Sequence, residues 1–236
     1  MSVNGTNNIY LSPHHDDAAF SLGAWISTHP GGRLVNLFTR SISVFDKQAT
    51  AKGVEEVSAV RAAEDVVFAR RLGLERFALG LDEPKLSGRH SRDISLVGLD
   101  IEQLREPLCA WLDRYADAGS VIFCPAAIGN HVNHLATRMV TWEWAVLRGR
   151  ETNLRFYEDL PYASRLHLRL QGVERLRASV PGWTLRRHAW RAGLNKLELI
   201  NLYPTQHGRP ARLRRFTPLT FWPLGPHEAV WAVERC

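Results

Sequence analysis

A short apolar run, Ile9 to Leu11, is cut off by Ser12-Pro13, and two imidazoles and two carboxylates follow at once: His14, His15, Asp16 and Asp17. A run this short reads as a buried strand, and the proline ends it. Beyond Asp17, Phe20, Ala24 and Trp25 recur at helical spacing, so the acidic pair stands at a helix N-terminus. Free N–H groups and the helix dipole favour negative charge there. In open α/β sheets, ligands bind just beyond the carboxyl ends of the strands, which makes this turn a candidate active-site loop. Taken singly, each residue has an ordinary role as a helix cap or a solvated loop side chain. The functional reading rests on the group of four together with a second histidine pair downstream.

The next segments alternate. Arg33–Thr39 reads as a second strand, Ser41–Lys52 as a polar loop of the kind that borders sites, and Val54–Leu72 as a helix stopped by Gly73. Val57, Val60, Ala63, Val67, Phe68 and Leu72 form that helix's apolar stripe. Arg76–Leu81 is a third strand, Asp82–Asp100 a polar surface excursion, and Ile101–Tyr115 a helix that Pro107 kinks or divides. Ser120–Cys124 is a fourth strand, Leu135–Leu147 a helix and Leu154–Tyr157 a fifth strand. This order predicts a parallel sheet covered by helices on both sides. The remainder is less regular, with helices near Gly172–Ala178 and Leu194–Leu202 and strands near Trp183–His188 and Ala229–Val233. No repeat or low-complexity linker interrupts the chain, so residues 1–236 are expected to form a single domain.

Composition narrows the function. With 45% apolar and 23% charged residues in 236, the chain is of ordinary globular make-up. The polar start, Met-Ser-Val-Asn-Gly, lacks the pattern of a signal peptide, and no apolar stretch approaches the ~20 residues that span a bilayer. A cytoplasmic protein with no transmembrane segment is expected, and three cysteines without a CxxC pair suit a reducing compartment. Cys124 reads as core packing. The net charge of +6 is carried almost entirely by arginine, scattered over helices apart from a small cluster at Arg209–Arg215, so no nucleic-acid face is predicted. An acidic group on a small substrate fits the arginine excess better.

The second histidine pair, His131 and His134, lies just beyond the fourth strand. Parallel strands place the first and fourth loops on the same sheet edge, and adjacent strands are about 4.8 Å apart, so the two loops can meet. A His, an Asp and a second His suit zinc and leave a fourth position for water.

These residues carry a family resemblance. Ser12-Pro13-His14-His15-Asp16-Asp17 resembles the P-H-x-D-D signature of the PIG-L/LmbE-like N-acetylglucosaminyl de-N-acetylases, and His131-Val-Asn-His134 their second element. Similar too are Phe38-Thr39-Arg40-Ser41, Arg61-Ala-Ala-Glu64-Asp65, Tyr157-Glu158-Asp159-Leu160-Pro161-Tyr162 and Lys196 through Tyr203 to Gln206. The resemblance implies a Rossmann-like α/β fold and hydrolysis of an N-acetyl group from an amino-sugar conjugate. It implies that His14, Asp17 and His134 bind zinc or another divalent metal such as Fe2+, with Asp16 as general base and His131 as oxyanion stabiliser or acid. Arg61 is then a substrate contact or an exposed salt-bridge partner, and Glu158 or Asp159 orients a histidine. His15 departs from the family pattern, as a variant of a non-ligating position, as a substrate contact or as a competitor for the metal. Two other readings stand beside this one: an amidase for a non-sugar N-acyl conjugate, and a non-catalytic Rossmann-like binding domain. A homo-oligomer is also open.

Overall fold

The structure, a computed structural model, describes residues 7–44, 53–207, 213–218 and 225–235. Parts of two sequence expectations, 45–52 of the polar loop and 209–212 of the arginine cluster, lie outside the described residues, as does Cys236.

The chain begins with β1 (Asn8–Ser12), α1 (Asp17–Thr28), β2 (Arg33–Asn36), α2 (Val54–Leu72) and β3 (Glu75–Ala78). It continues with α3 (Val97–Tyr115), β4 (Val121–Pro125), α4 (Val132–Arg148) and β5 (Leu154–Tyr157). It ends with α5 (Leu166–Ala178), β6 (Trp183–Arg191), α6 (Leu194–Ile200) and β7 (His227–Arg235). The strands form one seven-stranded sheet in the order β3-β2-β1-β4-β5-β7-β6, an α/β arrangement that is mostly parallel and flanked by helices. β1 pairs in parallel with both β2 and β4, Ile9 standing opposite Arg33 on one side and Ile122 on the other. After β3 the chain crosses back over β1 to reach β4, so the β1/β4 boundary is where the winding reverses. Such a switch point opens a crevice between the loops that leave the two strands.

The core lines both faces of these central strands. Ile9, Tyr10, Leu11, Leu34, Val35, Ile122, Phe123, Cys124 and Phe156 are buried, as continuous apolar runs in a doubly covered parallel sheet require. At the C-terminal edge the rule changes: β7 runs antiparallel between β5 and β6.

Three local expectations are corrected. α3 starts at Val97 and runs unbroken through Pro107, so the polar excursion ends sooner than expected and holds two short 3-10 turns, Pro84–Ser87 and Ile94–Leu96. α4 starts at Val132, which places His134 within its first turn. α2 has the predicted limits but not the predicted face. Val60 and Val67 are exposed, at 39% and 52%, while Arg61, Glu64 and Asp65 are buried with Val57, Phe68 and Leu72. The polar residues face inward because partners from other segments meet them there.

Candidate active site

β1 ends in Ser12, whose Oγ donates to the His14 carbonyl at 2.6 Å and accepts from Ala18 N at 3.0 Å, tying the turn to the start of α1. Asp17 is the first residue of that helix. Its Oδ2 accepts from the His14 backbone N–H at 2.8 Å and lies 3.0 Å from His14 Nδ1 and 3.3 Å from His134 Nε2. Burial works to raise the pKa of Asp17, but the positive character of His134 and His14 outweighs it and holds the carboxyl well below the usual range. His134 is shifted the other way: against burial, Asp17 and Asp159 push it up to about 10.

The β4–α4 loop brings in the other half. Ala127 and Asn130 hold positive φ, at 61° and 59°, and Gly129 has φ 93°. A Cβ on Gly129 would stand 2.6 Å from Tyr162 Cγ, so this close approach needs glycine. The loop delivers His131 to within 4.6 Å of the His14 ring, centroid to centroid, and His134 to within 5.2 Å of both rings. His14, His131 and His134 each offer a nitrogen, and these three lie within 4.8 Å of one another.

Hydrogen bonds behind the rings distinguish their nitrogens. His134 Nδ1 donates to Asp159 Oδ1 at 2.7 Å, leaving Nε2 toward Asp17. His14 Nε2 meets Asn133 Oδ1 at 3.0 Å, leaving Nδ1 toward Asp17. His131 differs, since its Nδ1 accepts from the Asn133 backbone N–H at 3.3 Å, so the neutral ring carries its proton on Nε2. Burial, reinforced by His14 and His134, lowers the His131 pKa well below the ordinary imidazole value, which keeps it neutral.

Asp16, partly buried beside this group, is held by Arg61. Arg61 Nη2 donates to Asp16 Oδ1 at 3.3 Å, and its Nη1 donates to Ser41 Oγ at 2.7 Å and Glu83 Oε1 at 2.5 Å. Arg61 is thus a buried member of the site rather than an exposed salt-bridge partner, 2% accessible. Burial, and then the neighbouring Asp17 charge, raise the Asp16 pKa above its ordinary value against the pull of Arg61.

Asp16, Asp17, His14, His131 and Arg61 line one cavity of about 310 Å³, with Phe20, Leu160, Pro161, Tyr162 and Phe216 supplying apolar wall. Two sequence expectations part from this picture. His15 points away: its ring is buried near Arg76 and Asp65, Nδ1 lying 3.7 Å from Asp65 Oδ2, and it does not line the cavity. Glu158 is spent on Arg169, Arg187 and Trp231, so Asp159 alone of that pair reaches a site histidine. Glu83, Asp100 and Asn133 were missed. Asn133 stands inside the His-x-x-His element, whereas Glu83 lies in the polar excursion and Asp100 in the first turn of α3, in a stretch with neither period nor motif. Tyr203 and Gln206 divide, the first buried on Asp65 and the second in the cavity wall.

The PIG-L family model, described as GlcNAc-PI de-N-acetylase, matches residues 9–145, more than half of the chain. The chain belongs to the PIG-L family. This PIG-L chain is 31% identical over 163 residues to the 2'-N-acetylparomamine deacetylase of Streptomyces fradiae. That alignment takes in 66% of this chain and 58% of the relative, so less than two thirds of the relative is spanned. Among solved structures, the pseudoaglycone deacetylase of an antimicrobial reagent aligns with a TM-score of 0.69 at 20% identity, over 98% of both chains. A zinc inhibited form of teicoplanin deacetylase aligns equally, TM-score 0.69 at 18% identity, over 98% of this chain and 99% of that one. These two likenesses are of fold alone, and they span β6 and β7, beyond the residues that the family model matches.

Proposed function

We propose that this PIG-L protein hydrolyses the N-acetyl group of an amino sugar within a larger conjugate, releasing acetate and a free amine. The observation that carries the reading is the convergence of His14, Asp16, Asp17 and His131 on one cavity at the β1/β4 switch point, with His134 packed against Asp17 and His14 beside it. Family membership and the deacetylase named for the Streptomyces relative support the reaction class.

The donor set fits a divalent cation. Two imidazoles are anchored through their far nitrogens, as histidine ligands commonly are, and a carboxylate oxygen lies between the near ones. His14, Asp17 and His134 are the proposed ligands. His131 is set apart from them because its Nδ1 is already an acceptor, so Nε2 carries hydrogen instead of a free lone pair. A metal ion held there would supply Lewis-acid polarisation and would acidify water.

The chain's own residues do the rest. Asp16 takes a proton from the attacking water, and Arg61 on its Oδ1 leaves Oδ2 for that proton. A raised pKa brings Asp16 closer to neutral pH, where one group serves well as both base and acid. As water oxygen bonds to the acetyl carbon, the carbonyl oxygen gains negative charge, and His131 Nε2–H donates to it. A single such donor contributes on the order of a hundredfold to a thousandfold. The C–N bond then breaks, the nitrogen recovers its proton from Asp16, and acetate leaves.

Acetate release from a panel of N-acetylglucosaminyl conjugates, with zinc, iron, cobalt and manganese compared, tests the proposal. Lys85 and Arg215 line the same cavity, so the panel includes conjugates bearing phosphate or carboxylate. Release by wild type and its loss in Asp16→Asn are expected. Turnover of non-sugar acylamides alone overturns the sugar assignment, and full activity in Asp16→Asn overturns the mechanism.

A further inference from the structure

The segment 82–100 carries no family landmark, yet the excursion and the first turn of α3 that follows it reach the metal-ligand candidate His14 through three hydrogen-bonded residues. Arg89 Nη1 and Nη2 donate to Asp100 Oδ2 and Oδ1 at 2.8 and 3.1 Å. Asp100 Oδ1 accepts from Asn133 Nδ2 at 3.1 Å, and Asn133 Oδ1 meets His14 Nε2 at 3.0 Å. Asp100 and Asn133 are both fully buried.

The polarity of this chain runs one way only. A carboxylate accepts, so Asp100 obliges the Asn133 amide to turn its NH2 toward it and its oxygen toward His14. An amide oxygen also only accepts, so His14 must carry hydrogen on Nε2 when it is neutral. Its Nδ1 is then the atom with the free lone pair, and it faces Asp17 Oδ2 at 3.0 Å. With the Asn133 amide turned over, its NH2 would face His14 and favour the other tautomer, which places hydrogen on Nδ1 and removes the ligating lone pair. Arg89 fixes the plane of the Asp100 carboxylate in two-point contact and is itself steadied by Ser87 Oγ, 2.9 Å from Arg89 Nε.

We infer that Arg89, Asp100 and Asn133 are positioning residues that select the Nε2–H form of His14 and thereby keep Nδ1 as its metal-binding atom. This rests on the reading of His14 as a ligand. The competing account is that the same bonds merely fasten α3 to α4.

The test is cobalt(II) titration of metal-free protein, followed by d–d absorption, with His14→Ala as the control for the ligand reading. Asn133→Leu keeps the volume and removes the acceptor, and is expected to weaken cobalt binding by about tenfold to a hundredfold. Asn133→Asp sets two carboxylates face to face and is expected to weaken it too. Adding Asp100→Asn restores a donor at 100 and an acceptor at 133, and recovers most of the affinity. In zinc-loaded, 15N-histidine-labelled wild type, an exchange-protected Nε2–H proton of His14 is expected, and it is lost in Asn133→Leu.

Wild-type cobalt affinity in Asn133→Leu and Asn133→Asp, with binding lost in His14→Ala, overturns the relay and leaves the ligand reading intact. Equal weakness of Asn133→Asp and the exchanged pair also overturns it. Undiminished binding in His14→Ala overturns both. If the core variants do not fold, Arg89→Lys at the partly exposed end decides the matter: weaker cobalt binding at unchanged melting temperature is expected, and unchanged binding sinks the proposal.

Discussion

Asp159 and His134 are joined at 2.7 Å, Oδ1 to Nδ1, while the other oxygen of the same carboxylate accepts from the Ile128 backbone N–H at 2.8 Å. One side chain therefore orients a candidate metal ligand and anchors the loop that carries His131. Asp159→Ala is expected to lower metal affinity by about tenfold to a hundredfold. Competition against a chromophoric chelator measures this, and unchanged affinity would separate Asp159 from the metal site.

Glu83 stands in the cavity wall and pairs with Arg61, which in turn holds Asp16. Without its carboxylate, Arg61 loses a buried partner and Asp16 loses its fixed orientation. A small misplacement of a reacting group can cost about a hundredfold, so Glu83→Gln is expected to lower kcat by between tenfold and a hundredfold with little change in KM. Steady-state kinetics on the best substrate of the panel decides it: a change confined to KM would make Glu83 a binding residue instead.

Chelation is expected to abolish acetate release, and restored metal to recover it. Binding to the folded state alone also stabilises that state, by about 2.7 kcal/mol at a free-metal concentration a hundred times Kd. Melting curves with and without metal test this separately from activity, and coincident curves would argue against a metal site built into the fold.

Glu158 predicts the acid limb of stability. It is fully buried, and although burial alone would raise its pKa, hydrogen bonds and charge from Arg169 and Arg187 lower it. A carboxyl with a depressed folded-state pKa contributes stability that is complete above the unfolded value, about 4.3 for Glu, and is lost as pH falls through the folded value. Wild type should therefore lose stability on acidification through that window, and Glu158→Gln should show a shallower loss. At neutral pH the variant leaves two arginines short of their partner, at an expected cost of about 3–5 kcal/mol. Urea unfolding across this pH range measures both effects, and parallel pH profiles would refute the assignment.

Much of the candidate site was legible because its residues cluster along the chain. The turn after Leu11 and the His131–His134 element each combine a strand end with ligand-type side chains, and the parallel alternation placed both on one sheet edge. The register of β1 against β4 then made them neighbours. The excursion at 82–100 was illegible for the opposite reason. Glu83, Arg89 and Asp100 follow no period; Glu83 and Asp100 acquire their roles from partners in other elements, Arg61 and Asn133, and Arg89 acts through Asp100.

The sequence alone determined the α/β alternation, the boundaries of α2 and β5, and the family, and it named the candidate metal ligands. Tertiary structure decided the rest. It buried the polar side of α2 where hydropathy pointed to Val60 and Val67, turned His15 away from the cavity, and inserted β7 between β5 and β6. It also decided which nitrogen of each histidine faces inward. Local period reports only what a segment can bury by itself. A charged or polar group becomes inexpensive to bury, and a tautomer becomes defined, only when distant segments deliver the complementary donor or acceptor.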